Sequence, residues 1–316
     1  MLQLSRKIPC GPFLALLIVF AIFALIAPPS FSSLRNLETI IRQTSIVGMA
    51  SLGMTLIIIM GGIDLSVGSL IALSTVVIAV LLNTGIGPFS SALLGIMSAA
   101  LFGYFNGLLI TKLKIVPFIT TLGTLLIVRG VAKGLADEQK VDAPMTFLAD
   151  ILARLGPQQS WLLVPPGVWL VLFGALLIGL LLHKTVLGRH IVAVGSNEQA
   201  ARLCGVPVAR VKQLVYGIGG LCAGFAGLLQ FSRLTVGDPT VAIGLELDVI
   251  AAVVIGGGSL SGGQGSLSGS LIGALIMTII RSGCSQMGLD SWVQEILTGA
   301  IIVGAVWFDT VRRRNA

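Results

Sequence analysis

From Leu65 to Thr111 the chain runs for 47 residues without a formal charge, and from Val249 to Ile280 for another 32. Gln43 to Ile63 is likewise uncharged. A helical crossing of a bilayer takes about 20 residues, so these runs hold two, one or two, and one crossing respectively. Soluble domains carry about 25% charged residues; here the fraction is 10%, with 55% hydrophobic residues and a mean hydropathy of +1.00. The chain is therefore read as a polytopic, all-α membrane bundle.

Ten spans are expected, over 11–27, 42–60, 65–82, 89–111, 116–134, 162–182, 212–231, 246–258, 265–281 and 292–309. Pro28-Pro29, Asn83 to Pro88, Pro117, Pro165-Pro166 and Gly237-Asp238-Pro239 break or begin helices between them. The eighth is short enough to be a re-entrant or broken helix. An even count puts both termini on one side. If that side is the cytoplasm, it receives twelve basic residues (Arg6, Lys7, Lys112, Lys114, Lys184, Arg189, Arg202, Arg210, Lys212 and Arg312 to Arg314) against Asp64, Glu198 and Asp309, while the other side receives eight basic and ten acidic residues. The asymmetry favours both termini inside. It also accounts for the net charge of +7, which is consequently no sign of nucleic-acid binding.

Arg6-Lys7 before an apolar stretch resembles a signal peptide, but no small-residue cleavage site follows and Pro28-Pro29 would make a poor one, so a retained first span is expected. Cys10, Cys204, Cys222 and Cys284 share no CxxC spacing, and His183 and His190 stand in a basic loop without carboxylate or thiol partners at ligand spacing. Neither a disulfide framework nor a metal site is expected. There is no phosphate-binding G-x-x-x-x-G-K-[ST], dinucleotide fingerprint or serine nucleophile elbow, so any ATP used is hydrolysed by another chain. Leu65 to Thr111 also lacks the acid, histidine and lysine relays of ion-coupled pumps.

Against this apolar background G-G-I-D-L-S-V-G-S, Gly61 to Ser69, stands out, and Asp64 is the sole acidic residue between Glu38 and Asp137. Polar backbone and a carboxylate persist at membrane depth only under protein cover or along a wet path. Asp64 either caps the helix beginning near Leu65, where its charge meets orphan amides, or belongs with Ser66 and Ser69 to a translocation path or gate; the two are compatible. G-G-x-x-L-S-x-G recurs at Gly256 to Gly263, which adds Ser259 and Ser261 as counterparts and suggests related elements, as in transporters built from repeats. G-x-x-x-G spacing at Gly103/Gly107, Gly220/Gly224 and Gly269/Gly273 reads chiefly as a close-packing device.

Two longer loops remain. The outer one, Leu135 to Gln159, carries Asp137, Glu138, Asp142 and Asp150 and offers itself to an external partner. The inner one, 183–212, encodes a two-turn helix with both ends marked: Asn197 as N-cap, Glu198 in the first turn, Arg202 pairing with it at i+4, and Gly205 with Pro207 as the stop. So short a helix is marginal alone because nucleation is costly. Ala200, Leu203 and Cys204 form an apolar face that rests either on lipid and the bundle or in a cytoplasmic partner.

The Gly61–Ser69 run, V-P-F-I-T-T-L-G-T from Val116 with Arg129-Gly130 after it, G-R-H-I-V-A-V-G-S-N-E-Q-A-A-R-L-C-G-V from Gly188 and L-E-L-D-V-I-A-A-V-V-I-G-G-G-S-L-S-G-G-Q-G from Leu245 together resemble the permease subunits of bacterial ABC-type sugar importers, the ribose, xylose, arabinose and autoinducer-2 group. The resemblance covers about residues 40 to 310. Cys204 and Gly258 depart slightly from it, a small polar or apolar residue being commoner at the first and Thr frequent at the second. It implies a single permease domain over 1–316 in the inner membrane, with no cofactor of its own. ATP and Mg would be used by separate cytoplasmic ATPases; the other partners implied are an external sugar-binding protein, a second permease copy and the sugar. It further implies that the loop carrying Gly188, Gly195, Asn197, Ala200, Ala201 and Gly205 is the segment coupled to the ATPase, and Arg189, Glu198, Arg202 and Leu203 of the same loop are expected to take part. An ion-coupled secondary transporter is the alternative.

Overall fold

Prolines open three of the long helices. Pro88, Pro117 and Pro166 each stand at the first helical position, where the missing N–H would have had no partner. The computed structural model describes residues 10–156 and 161–314, so Arg6 and Lys7 lie outside the described residues. In chain order its helices are α1 (Cys10–Ile26), α2 (Leu34–Ile59), α3 (Val67–Asn83), α4 (Pro88–Lys112), α5 (Pro117–Leu135), α6 (Pro166–Lys184), α7 (Val186–Ser196), α8 (Glu198–Leu203), α9 (Val208–Leu234), α10 (Leu245–Ile255), α11 (Leu267–Gln286) and α12 (Ser291–Arg314).

A helix occupies each of the ten apolar segments, and α7 and α8 fill the loop between the sixth and the seventh. Among the described residues six helices (α2, α4, α5, α6, α9 and α11) are long and apolar enough to cross a membrane. The eighth segment is shorter than expected: α10 has 11 residues, a rise of about 16 Å, roughly half the hydrocarbon thickness. The chain from 256 to 266 is not helical.

Helix α9 is the centre of the bundle and packs on α2, α3 and α4. Its glycines make this possible. A Cβ on Gly220 would stand 2.9 Å from the Cα of Gly103, and one on Gly224 would stand 2.7 Å from the carbonyl oxygen of Ile96, so the glycine stripes of α4 and α9 lie backbone against backbone. Gly269 and Gly273 of α11 sit in the same way on Gly256 and Ala252 beside α10. All three G-x-x-x-G pairs are thus used within the chain. Leu101 of α4 and Leu126 of α5, each 67% exposed, point away from it.

The connection between α5 and α6 is not wholly irregular. Val141–Asp142 (β1) pairs antiparallel with Val236–Gly237 (β2), the one strand pairing among the described residues. A 3-10 segment, Phe147–Leu152, follows β1. Ser232 at the end of α9 accepts from the Leu152 N–H at 2.8 Å and donates to the Ala149 carbonyl at 3.0 Å, tying the loop to the bundle.

Candidate functional site

Two glycine-rich loops and the end of α7 meet at one end of the bundle. Helix α2 stops at Ile59, and the Gly61 and Gly62 N–H groups turn back to the carbonyls of Ile58 and Ile57, both at 2.9 Å. Helix α10 stops in the same manner: the Gly257 and Gly258 N–H groups donate to Val254 and Val253 at 2.9 and 2.8 Å. Gly61 and Gly257 both adopt positive φ, +85° and +91°, the left-handed helix stop that glycine accepts without strain. The repeat seen in the sequence is therefore structural, but its register is shifted. By backbone geometry Gly61 corresponds to Gly257, whereas the sequence match aligns it with Gly256.

The two loops touch. Gly263 donates its N–H to the Ile59 carbonyl at 2.7 Å, and a Cβ on Gly262 would lie 3.0 Å from the Gly61 Cα and 2.6 Å from the Gly195 carbonyl oxygen. Gly195 is closed in as tightly, with the Ile59 carbonyl and the Gly263 nitrogen occupying the space of a side chain. Three elements distant in sequence are so joined through main chain, with no flexible side chain between them.

Asp64 lies just beyond the junction. The helix after it begins at Val67 rather than near Leu65, and Ser66 holds the N-cap position without a side-chain cap bond. Asp64 therefore caps the Leu65–Ser66 turn that leads into α3 rather than the α-helix itself. Its carboxylate instead closes a turn one step earlier, Oδ1 accepting from the Ser66 N–H at 2.8 Å and the Ser66 hydroxyl at 2.5 Å, a local pattern that Asp favours over helix. Asn106 of α4 donates to the same hydroxyl at 2.9 Å, and Tyr216 of α9 donates to the Ile63 carbonyl at 3.0 Å. Asp64, Ser66 and Ser69 are wholly buried, Ser259 is buried, and Ser261 is exposed. Asn106 and Tyr216 went unrecognised in the sequence, because a lone Asn and a lone Tyr in apolar helices carry no spacing signal.

The 183–212 loop forms around two capped helices. Thr185 accepts from the Gly188 N–H at 3.1 Å to start α7, and Gly188 itself packs on the end of α6, where a Cβ would lie 2.5 Å from the Leu181 carbonyl oxygen. Arg189 is exposed beside it. Asn197 then accepts from the Ala200 N–H at 2.9 Å to start α8, and Gly205 ends it at φ +82°. Glu198 is paired twice, with Arg202 at 3.0 Å and with Lys212 of α9 at 2.8 Å. Partial burial acts to raise the Glu198 carboxyl, but the hydrogen bonds and charges of Lys212 and Arg202 outweigh it, leaving the carboxyl below its ordinary value.

One side of α8 is anchored and the other is open. Ala201 is 5% exposed, whereas Leu203 is 89% exposed and Ala200 and Cys204 are exposed with it. The apolar face expected from the sequence is present and is turned away from its own bundle. A groove of about 750 Å³ runs beside it, between the end of α4 and the start of α9, with Lys114, Arg202, Arg210 and Lys212 on its walls.

The opposite end of the bundle holds a second cavity, of about 430 Å³, between α2, α9, α10 and α11. Gln43, Gln230, Arg233, Asp248 and Arg281 line it, and Asp248 and Arg281 form an ion pair at 2.7 Å. None of these was singled out in the sequence. A signal was there: Asp248 and Arg281 bracket the charge-free run of 32 residues, and folding that run as an antiparallel hairpin brings its two charged ends together.

A family model described as "Branched-chain amino acid transport system / permease component" matches residues 36–306, and the chain belongs to that family of membrane permeases. Among individual proteins it is 40% identical to the ribose import permease protein RbsC of Bacillus subtilis over 308 residues, 97% of this chain and 93% of that one. It is 38% identical to the ribose import permease protein RbsC of Escherichia coli K12 over 300 residues, covering 95% and 93% of the two chains. With the L-arabinose transport system permease protein AraH of the same organism it shares 37% over 303 residues, 95% and 90% of the chains. No solved structure matches.

Proposed function

We propose that this chain is the permease subunit of an ATP-binding-cassette importer that moves a pentose-like sugar across the inner membrane, powered by separate ATPase subunits. The names of its ribose and arabinose relatives support the sugar, over the branched-chain amino acid of the broader family description, because their similarity runs almost end to end. The accompanying parts are two cytoplasmic ATPases, an external sugar-binding protein and a second permease copy. The chain crosses the membrane about ten times with both termini inside, in line with ten helices in ten apolar segments and with the basic excess on the inner loops.

The observation that carries the mechanism is the build of α8. A two-turn helix is unstable alone, yet this one is capped, ion-paired, anchored through Ala201 and continued by α7 into the glycine junction, while Leu203 is left 89% exposed. Such a helix suits docking into a cytoplasmic ATPase. ATPase closure would move α8, the Gly195 end of α7 would transmit that motion to both glycine loops, and the bundle would alternate between inward-open and outward-open forms. Asp64, Ser66, Ser69, Ser259 and Ser261 then belong to the moving inner ends of the helices as parts of the gate.

The test is co-purification of the ATPase with Leu203→Asp and Ala201→Glu permeases, together with uptake of labelled D-ribose and L-arabinose. Both substitutions should release the ATPase or leave it hydrolysing without uptake. Normal co-purification and normal uptake with both would overturn the coupling role. Uptake by the permease alone, abolished by a protonophore, would favour an ion-coupled carrier instead.

A further inference from the structure

The cavity at the far end from α8 is polar in a selective way. Gln230 is 4% exposed, lines the cavity and makes no side-chain hydrogen bond among the described residues. Gln43 faces the same space, also without a side-chain partner, and Arg233 has no ion pair there. Asp248 is engaged by Arg281 through Oδ2, which leaves Oδ1 unpartnered; the Nε of Arg233 is unpartnered too. Buried polar groups ordinarily find partners, because leaving them without one is costly. The buried, unpartnered guanidinium nitrogen of Arg233 and carboxylate oxygen of Asp248, with the unengaged amides of Gln43 and Gln230 facing the same space, indicate a ligand that supplies both donors and acceptors.

We propose that this outer cavity is a transient contact site for a neutral monosaccharide, whose hydroxyls hydrogen-bond Gln43, Gln230 and Arg233 as it passes from the binding protein into the bundle. The proposal rests on the sugar-importer reading. A volume of about 430 Å³ suits one small molecule. A sugar hydroxyl both donates and accepts, so it satisfies the amide oxygens and nitrogens together with the donor-only guanidinium. An anion lacks donors and would leave the amide oxygens and Asp248 unanswered. The Arg281–Asp248 pair helps to hold α10 against α11, and Ile46, Val47 and Met277 supply the apolar wall on which the C–H face of a sugar rests. Few contacts and an open mouth also suit passage, since a tight site would slow release.

The test uses the permease assembled with its ATPase and binding protein in proteoliposomes, with D-ribose and L-arabinose as transported probes and L-leucine as the alternative cargo. Gln230→Leu should lower sugar uptake about tenfold, the effect of one lost hydrogen bond with its partner left unsatisfied, and Gln230→Asn should restore most of it. Thr39→Cys, on the cavity wall, gives an acute readout in an already folded complex: a bulky impermeant thiol reagent added on the binding-protein side should stop uptake. Wild-type uptake in Gln230→Leu together with unimpaired uptake after Thr39→Cys is labelled would overturn the cavity assignment while leaving the importer reading intact. If the unmodified complex carries L-leucine and neither sugar, both the importer's sugar specificity and this site are wrong.

Discussion

At the end of the bundle that holds α7 and α8, backbone meets backbone: Gly195 lies against Ile59 and Gly262 against Gly61 and Gly195 with no room for a Cβ, and a main-chain hydrogen bond of 2.7 Å from Gly263 to Ile59 ties two loops together. At the other end Gln43, Gln230, Arg233 and Asp248 stand around about 430 Å³ of open space, with Arg233 Nε and Asp248 Oδ1 unpartnered among the described residues. Close packing transmits displacement because it offers no slack, whereas a cavity lined by unsatisfied donors and acceptors receives a ligand. On the proposed reading, the mechanical and the chemical parts of the task stand at opposite ends of the same helices, and α2, α9, α10 and α11 run between them.

The largest effect should come from breaking the rigid end. Gly195→Val would force a branched side chain into the Ile59 carbonyl and the Gly263 nitrogen, and overpacking costs about 1 to 3 kcal/mol even where the neighbours are side chains that can yield. Uptake should be lost with reduced membrane expression. Gly205→Ala sharpens the point, since Gly205 has open space around it and its φ of +82° is the sole obstacle, at about 1 to 2 kcal/mol. It should weaken uptake while leaving expression near normal. Equal damage in both variants would contradict a junction made by contact.

A smaller effect is expected at Asp64, where the turn needs an acceptor more than a charge. Asp64→Asn keeps an oxygen for the Ser66 N–H, but Asp64→Leu strands that buried N–H, at about 1 to 3 kcal/mol, and leaves the Ser66 hydroxyl only its contact with Asn106. Uptake normalised for membrane expression should therefore fall much further with Leu than with Asn. Equal losses would show that the charge itself is required.

The smallest effect concerns acid. Glu198 is held below its ordinary carboxyl value, so its contribution to α8 is fully present above the unfolded value near 4.5 and is lost as pH falls through the lowered folded value. ATPase retention by the purified complex should decline below about pH 4.5 more steeply in the wild type than in Glu198→Gln. With partial solvent screening the difference should be modest. Parallel declines would mean that the Lys212 and Arg202 pairs contribute nothing to docking.

Much of the inner end was legible in the chain. Asn197, Glu198, Arg202 and Gly205 follow local rules of helix capping, charge and termination that act within a few residues, and the structure places each in its expected role. The G-x-x-x-G stripes were readable as packing devices for the same reason, although which stripes face one another depends on tertiary arrangement. What escaped the sequence is nonlocal. Ser66 rather than Asp64 came to precede α3 because Asp64 was drawn into a turn completed by Asn106, 42 residues away. The outer cavity escaped for a similar reason: Gln43, Gln230 and Asp248 each look unremarkable alone and gain meaning when three helices bring them to one space.

Photo-crosslinking from the two ends tests the central claim most directly. A benzophenone amino acid in place of Leu203, and separately in place of Asp150 in the exposed outer loop, would be irradiated in the complex of permease, ATPase and binding protein. Position 203 should crosslink to the ATPase, and position 150 should give no ATPase adduct. An ATPase adduct from position 150, or adducts from position 203 to lipid alone, would contradict the assignment of α8 as the element that carries ATPase motion into the membrane.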